Sequence, residues 1–419
     1  MVDLSYDTKN YSMSKSTFFT GQPIFTQILK YIPRDLVASA ASEHKADHYC
    51  KRFNSHDHLV TLLYATFNNC NSLREVTTGM LAWEQRLNHL GMKHFPRRST
   101  LSDANKRRSA DVFEKIYSKL WHRYSHFLSD SRVERDESRL YIFDSTTITL
   151  FQEVLRGTGI APANGKRKGG IKVHTLIKSD QDLPCMIRFS ASAANDSSFL
   201  KVINLPKNSI VVFDKGYHEY ASFERLTELG IKWVTMLRKG AGVEIKEDRP
   251  VDDSQKQEGI MSDQIIMLGR HHPKDKDRTR VKCRLVTYKD PQSAQCFEFL
   301  TNDIEMEPTA IAGLYRKRWQ IETLFKRLKQ NYPLKYFLGE SENAIKIQIW
   351  CSIIADLLLK IIKKGCAAKW SFSNLTSMIR LHLMTYIDLF AFLHCPEKSL
   401  LAIINKKDDN ASNPQLFPT

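Results

Sequence analysis

The chain has 419 residues, 42% of them hydrophobic, enough to bury a full core and to divide into two or three domains. Its 62 Lys and Arg against 46 Asp and Glu leave a formal charge of +16, a balance that favours polyanionic partners. Eight cysteines (50, 70, 185, 283, 296, 351, 366 and 395) show no C-x2-C or Cys/His zinc spacing, and no secretory signal precedes them, so they read as scattered reduced thiols.

In chain order, residues 1–20 are polar and read as a flexible N-terminus. From 21 to 128 the patterns are helical: PIFTQILKYI, HDHLVTLLYATFNN, LREVTTGMLAWEQRLNHL and SADVFEKIYSKLWHRYSHFL, with no strand-like alternation between them. Within this region HFPRRSTLSDANKRR concentrates Arg97, Arg98, Lys106, Arg107 and Arg108, which predicts a path for phosphates. A helical cap on the following domain is the alternative reading of the whole region. SDSRVERDES is a polar, charged linker.

The domain expected over 139–393 opens with a strand at 139–151, in which Asp144 follows the apolar run Tyr141–Phe143. Strands follow at IKVHTLIKS and PCMIRFSAS. Asp214 then ends the run Ile210–Phe213, and Lys215-Gly216-Tyr217 signals a turn into a helix from about Tyr220 to Leu229. A short β-branched and aromatic run ending in aspartate is the mark of a buried strand that delivers an acid at its end. Singly, each aspartate serves as well for a turn or a cap. Between the first two strands, GKRKGGIKVH carries Lys166, Arg167, Lys168 and Lys172 beside glycines that let backbone approach a phosphate; a solvated loop is the other possibility. Asp196, in ASAANDSSF, reads as structural, or at most as a support for the acids.

KWVTML is a further strand, and residues 238–300 form a β-rich insertion: turns, then the strands RVKCRLVTYKD and AQCFEFLTND, the last returning to the core. His271-His272 fall in a charged, turn-rich segment and read as a solvated loop rather than a metal site. Cys185, Cys283, Cys296 and Cys351 lie in apolar runs and are expected in the core. Helices finish the domain. Their most apolar stretch, IKIQIWCSIIADLLLKII, is interrupted by Lys346, Asp356 and Lys360, so it predicts a core helix and no membrane span. Residues 405–419 read as a disordered tail.

The most informative segment is LYRKRWQIETLFKRLKQNYPLK. Tyr315, Arg318, Glu322 and Lys329 are spaced three, four and seven apart. On one α-helix, at about 100° per residue, they fall within roughly 60° of each other. Leu314, Ile321, Leu324, Phe325 and Leu328 form the adjoining apolar face. One carboxylate therefore stands between an arginine and a lysine, beside a phenol. From this segment alone an amphipathic helix with ordinary i,i+4 ion pairs explains the pattern as well. With Asp144 and Asp214 added, three acids can converge on one or two divalent cations, as phosphodiester chemistry requires.

On these residues the chain resembles the DDE transposases of bacterial insertion sequences, in particular insertion-sequence family 4. Asp144 in FDST and Asp214 in FDKGY resemble the first two catalytic acids, and Tyr315, Arg318, Glu322 and Lys329 reproduce the signature Y-x2-R-x3-E-x6-K. Lys215 stands where the family usually has Arg. Asn302, in FLTND, matches a recurring Thr-Asn. The resemblance implies an α/β fold: an RNase H-like catalytic domain interrupted by the β-rich insertion, with an N-terminal helical DNA-binding domain at 21–128 that recognises transposon ends, and C-terminal helices. It implies that Asp144, Asp214 and Glu322 bind two Mg²⁺, with Mn²⁺ able to substitute. It further implies cut-and-paste transposition through a hairpin, on double-stranded DNA with terminal inverted repeats and a target, by a homodimer in the DNA complex, in the cytoplasm at the nucleoid. Tyr315, Arg318 and Lys329 would hold phosphates, and Trp319 is placed to touch a flipped base or simply to pack at the helix edge. Trp233, Phe297 and Phe299 are candidates for a second such aromatic. Two other functions compete: a nuclease or resolvase-like enzyme that cuts without strand transfer, and a non-catalytic DNA-binding derivative.

Overall fold

Apolar residues gather around two centres, and the chain forms a compact unit at each: one from Met1–Tyr124 with Gln330–Thr419, the other from Ser125–Lys329. A computed structural model describes residues 21–84, 87–130, 138–149, 170–192, 199–269, 279–399 and 401. The expected N-terminal and C-terminal tails, Lys166, Arg167, Lys168, Asp196 and His271-His272 lie outside the described residues.

The central unit is built on one nine-stranded sheet in the order β3-β2-β1-β4-β5-β9-β8-β7-β6. β1 (Leu140–Thr149), β2 (Gly170–Lys178) and β3 (Leu183–Ala191) form an antiparallel meander. β4 (Ile210–Phe213) lies parallel to β1, and β5 (Lys232–Met236) parallel to β4. A parallel neighbour needs a crossover, and the helix Tyr220–Glu228 supplies it. β4, with the sequence IVVF, is buried at every position, as a strand covered on both faces must be. Phe143, Phe213, Phe223 and Trp233 meet in one core cluster; Phe223 and Trp233 stack with centroids 4.6 Å apart.

β6 (Val243–Arg249), β7 (Ile260–Leu268) and β8 (Val281–Lys289) extend the sheet, and β9 (Cys296–Thr301) pairs with both β8 and β5. Sequence patterning shows β8 and β9 but not β6 and β7. The reason is physical: β6 is an edge strand, exposed along nearly its whole length and rich in charge, so it carries no apolar alternation. Cys296 is exposed and Cys185 half-buried, against the expectation of core positions; Cys283 and Cys351 are buried. Cys296 opens β9, where the strand has run past the core.

The other unit is helical. The helix Glu342–Gly365 is buried along most of its length, as is Ser55–Phe67, and these two pack together. The domain expected over 139–393 runs on through these helices; in the structure the helices after Gln330 group with the N-terminal ones. A helix that is apolar nearly all round needs partners on every side, and the N-terminal helices provide them. The helix expected over 73–90 is two pieces, Leu73–Leu81 and Leu87–Leu90. Among the described residues no helix is long and apolar enough to cross a membrane.

Candidate active site

Phe143 and Phe213 are register partners in the parallel pair β1–β4, and each is followed by an aspartate. Asp144 and Asp214 therefore emerge side by side from adjacent strands. Asp214 caps the 3-10 turn Lys215–Tyr217, its Oδ2 accepting the Gly216 amide at 3.0 Å. That turn carries Tyr217, buried to 3%, back over β1: the phenol lies 2.9 Å from Ser145 Oγ and 3.3 Å from Asp144 Oδ1. The Ser145 amide donates to the same Asp144 oxygen at 2.7 Å. Burial pushes the Asp144 carboxyl up to about 6; the negative charge of Asp214 adds to this, while the Ser145 amide, Arg318 and Tyr217 oppose it.

The segment bearing the four signature residues is not one helix. It forms the helices Pro308–Arg316 and Trp319–Asn331, joined through a tight turn at 317–318. Backbone bonds there close after three residues: Lys317 N–H to Leu314, Arg318 to Tyr315, Gln320 to Lys317 and Ile321 to Arg318. The break puts Arg318 between two acids. Its Nη1 is 3.3 Å from Asp144 Oδ2 and its Nη2 is 2.6 Å from Glu322 Oε1. The guanidinium also lies over the Tyr315 ring, 5.8 Å from the centroid, and that ring packs against Phe299 at 5.2 Å. Burial raises the Tyr315 phenol to about 12, so it stays a neutral donor. Lys329, about two turns beyond Glu322, donates to Thr146 Oγ1 at 2.6 Å and to the Thr147 carbonyl at 3.2 Å.

The structure thus brings Asp144, Glu322, Arg318 and Tyr315 together, sets Asp214 on the neighbouring strand, and ties Lys329 to β1 beyond the acids. It does not close the three acids into a ligand cluster: among the described residues no three Asp, Glu, His or Cys groups stand at metal-binding spacing. The donor set nonetheless suits a divalent cation. All three groups are hard carboxylate oxygens, and two of them repel each other on adjacent strands. Arg318 stands between Asp144 and Glu322, and would have to leave them for both carboxylates to hold a cation.

Several expected DNA contacts are placed differently. Arg108 is buried, its Nη2 donating to Asp47 Oδ1 at 3.1 Å and to the Phe53 carbonyl at 2.9 Å; it leaves its helix in extended backbone and braces the 47–53 loop. Lys172 is also buried, in the middle strand of the β1–β2–β3 meander. Arg97, Arg98, Lys106 and Arg107 are exposed. Trp319 is 65% exposed, whereas Trp233 and Phe299 belong to the core and cannot reach a ligand; Phe297 is half-buried. Asn302 is structural: Oδ1 accepts the Trp233 amide at 2.8 Å, and Nδ2 donates to the Ile231 carbonyl at 2.9 Å. In the sequence Tyr217 reads only as a turn residue; its place in the Gly-Tyr pair two residues after Asp214 is the signal of its contact with Asp144.

Asp144, just past the last β1 residue paired with β4, and Asp214, directly after β4, give an α/β fold with two carboxylates side by side and Arg318 and Tyr315 beside the first. The sequence profile of the Transposase DDE domain matches residues 135–358, more than half of the chain, and the protein belongs to that family. A second profile, Domain of unknown function DUF4372, matches residues 20–93. A protein of Sinorhizobium fredii (strain NBRC 101917 / NGR234) named transposase y4zB is 30% identical over 272 residues, 64% of this chain and 71% of its own length. The protein of Synechocystis sp. named as the transposase of insertion sequence element IS4SA is 26% identical over 273 residues, 63% and 71% of the two chains. Among solved structures, the piggyBac transposase in a synaptic complex with hairpin DNA aligns over 95% of this chain and 86% of its own, at TM-score 0.39 and 11% identity. The chain is a DDE transposase: an enzyme of DNA transposition, DNA-binding, of a family that uses divalent metal ions.

Proposed function

We propose that the chain mobilises an insertion sequence of the family-4 type by cut-and-paste. It binds terminal inverted repeats through the helical region 21–128, cuts at the element's ends and joins them to a target. The observation that carries this reading is the Arg318 junction, which links Asp144 on the sheet to Glu322 on the helix within a complete Y-x2-R-x3-E-x6-K spacing. The strand order β3-β2-β1-β4-β5, with β1, β4 and β5 parallel, supports the RNase H-like assignment.

Asp144, Asp214 and Glu322 would hold two Mg²⁺, or Mn²⁺ in its place. Bound there, such ions activate the attacking oxygen and stabilise the leaving one. Tyr217 and the Ser145 amide fix the Asp144 carboxylate from one side. Arg318, released from the acids, has a planar fork that fits two phosphate oxygens, with Tyr315 behind it as a neutral donor. Lys329 offers a point charge farther along the strand. Water attacks at the transposon end; the freed 3′-OH then attacks the opposite strand, giving a hairpin that is reopened before integration. Trp319, exposed one turn before Glu322, offers an indole face to a base drawn out of the stack.

The test uses a labelled duplex carrying the element's end, with Mg²⁺. The wild type should yield a species at double single-strand length in denaturing gels. Asp144→Ala, Asp214→Ala and Glu322→Ala should each abolish cleavage while end binding persists, because binding rests on many phosphate contacts. Near wild-type cleavage by any of the three variants would sink the acid assignment. Cut ends with no double-length species at any time would remove the hairpin, and no joined products would leave a nuclease.

A further inference from the structure

The helix Arg98–Arg107 in the helical unit has a face that the catalytic reading does not use. Its inner side is Leu101, fully buried, and Asn105, 3% exposed. Asn105 is pinned by amides and an imidazole: its Oδ1 is 2.7 Å from His58 Nε2, its Nδ2 donates to the Leu338 carbonyl at 3.4 Å, and its own carbonyl accepts Asn343 Nδ2 at 2.9 Å. Asn343 also holds the Arg108 carbonyl at 2.7 Å, just past the helix end. The element is thus fixed in rotation and in register, as a reading surface must be.

Its outer side, Ser99, Thr100, Ser102, Asp103, Lys106 and Arg107, is exposed throughout, and so are Arg97 and Arg98 at the N-terminal end. At about 100° per residue, Ser99, Asp103 and Arg107 form the outermost line opposite Leu101 and Asn105, with Thr100 and Lys106 on either side. The charges are not spread evenly. Cations stand at both ends, Arg97 at the N-cap and Arg98 at the first helical position, Lys106 and Arg107 in the last turn, and short hydrogen-bonding side chains fill the middle. At 1.5 Å per residue, the Arg98–Arg107 separation is about 13 Å, close to the ~12 Å width of the B-DNA major groove. The single acid on this face is the discriminating feature. Asp103 meets Arg107 only at 3.8 Å, with the two side chains 63% and 80% exposed, too loose a pair to explain its presence as structure. A carboxylate there repels phosphates and, in the major groove, matches base-edge donors such as the amino group of cytosine.

We infer that this helix enters the major groove of the terminal repeat, with Arg97, Arg98, Lys106 and Arg107 clamping phosphates on the two sides and Ser99, Thr100 and Asp103 reading base edges. The inference rests on the proposal that the helical region binds the element's ends, and it adds which residues specify the sequence.

The full chain, without added divalent ions, is used to select from a random 20-bp duplex library, and the enriched duplexes are sequenced. The wild type should enrich a defined motif. Asp103→Ala, folded by circular dichroism, should relax the preference at one or two adjacent base pairs, lowering discrimination there roughly tenfold or more. Arg107→Ala should weaken the motif and a scrambled duplex alike and reduce the slope of log K against log salt by about 0.9. If the wild type enriches no motif, end recognition itself falls and this inference with it. If it enriches one that Asp103→Ala and the Ser99→Ala/Thr100→Ala pair both keep with unchanged discrimination, end binding stands and the reading helix is refuted.

Discussion

Asp144 is held where a carboxylate is uncomfortable. Its side chain is 17% exposed, and its ordinary pKa of 3.8 rises to about 6, chiefly from burial and then from Asp214. In the unfolded chain the group loses its proton near pH 4; in the folded protein it keeps it until about pH 6. Across that window the folded state binds the extra proton, so stability falls as pH rises. At pH 7 nearly the full penalty is present, roughly 3 kcal/mol. Asp144→Asn should therefore raise the denaturation midpoint of the metal-free protein at pH 7–8, and the gain should vanish below pH 4. Mg²⁺ should stabilise the wild type by mass action and the Asn variant much less. Equal midpoints for the two proteins at pH 7.5, followed by calorimetry or urea denaturation, would show that the site is not strained in this way.

At the scale of elements, the segment before Pro308–Arg316 decides where Tyr315 and Arg318 point, and the inserted strands hold that segment. Arg284 on β8 is buried to 1% and forks onto Asp263 of β7, Nε to Oδ1 at 2.8 Å and Nη2 to Oδ2 at 2.7 Å. Its remaining Nη1 donates to the Asp303 and Ile304 carbonyls at 3.3 and 3.1 Å and to that of Met306. Lys232 on β5 pairs with Asp303 from the other side. The insertion is thus a brace for the helix pair that carries Tyr315, Arg318 and Glu322. Arg284→Met should lower stability by about 3 kcal/mol, because it leaves the buried Asp263 carboxylate with only the more distant Arg249 guanidinium, 3.9 Å away. Arg284→Met with Asp263→Leu should recover most of that loss yet still release the 303–306 turn. The double variant should then melt near the wild type, show faster amide exchange at 303–306 and cleave more slowly. Wild-type cleavage by the refolded double variant would reduce the brace to a stability device.

Elements also show what the sequence discloses and why. β1 and β4 are legible because a strand buried on both faces is a continuous apolar run, and an acid directly after it stands out. β6 and β7 are not: one lies at an exposed edge, and the other carries Asp263, whose partner comes from another strand. The signature residues were legible, but as one helical stripe. Nothing in LYRKRWQIE marks the turn at 317–318, which has neither Gly nor Pro and is set by how the two helices pack. Arg108 shows the limit for charges. In sequence it continues a basic run, and only the fold sends it inward to Asp47 while Arg107 stays in solvent.

For the molecule as a whole, the demand comes from the reaction. Transposition as proposed cuts two ends and joins both to one target, while each chain carries one set of Asp144, Asp214 and Glu322. One such set per end implies two chains, and closed two-fold symmetry is the commonest way to arrange them. The formal charge of +16 per chain opposes association of free protein and is neutralised once DNA is bound, so pairing should depend on DNA and weaken with salt. Mass measurement of the complex assembled on end duplexes should give two chains and two ends, and mixing wild type with Asp144→Ala should give complexes that cut one end only. A cutting-competent complex of one chain with two ends, or mixed complexes that cut both ends at the wild-type rate, would mean that a single site serves both ends in turn.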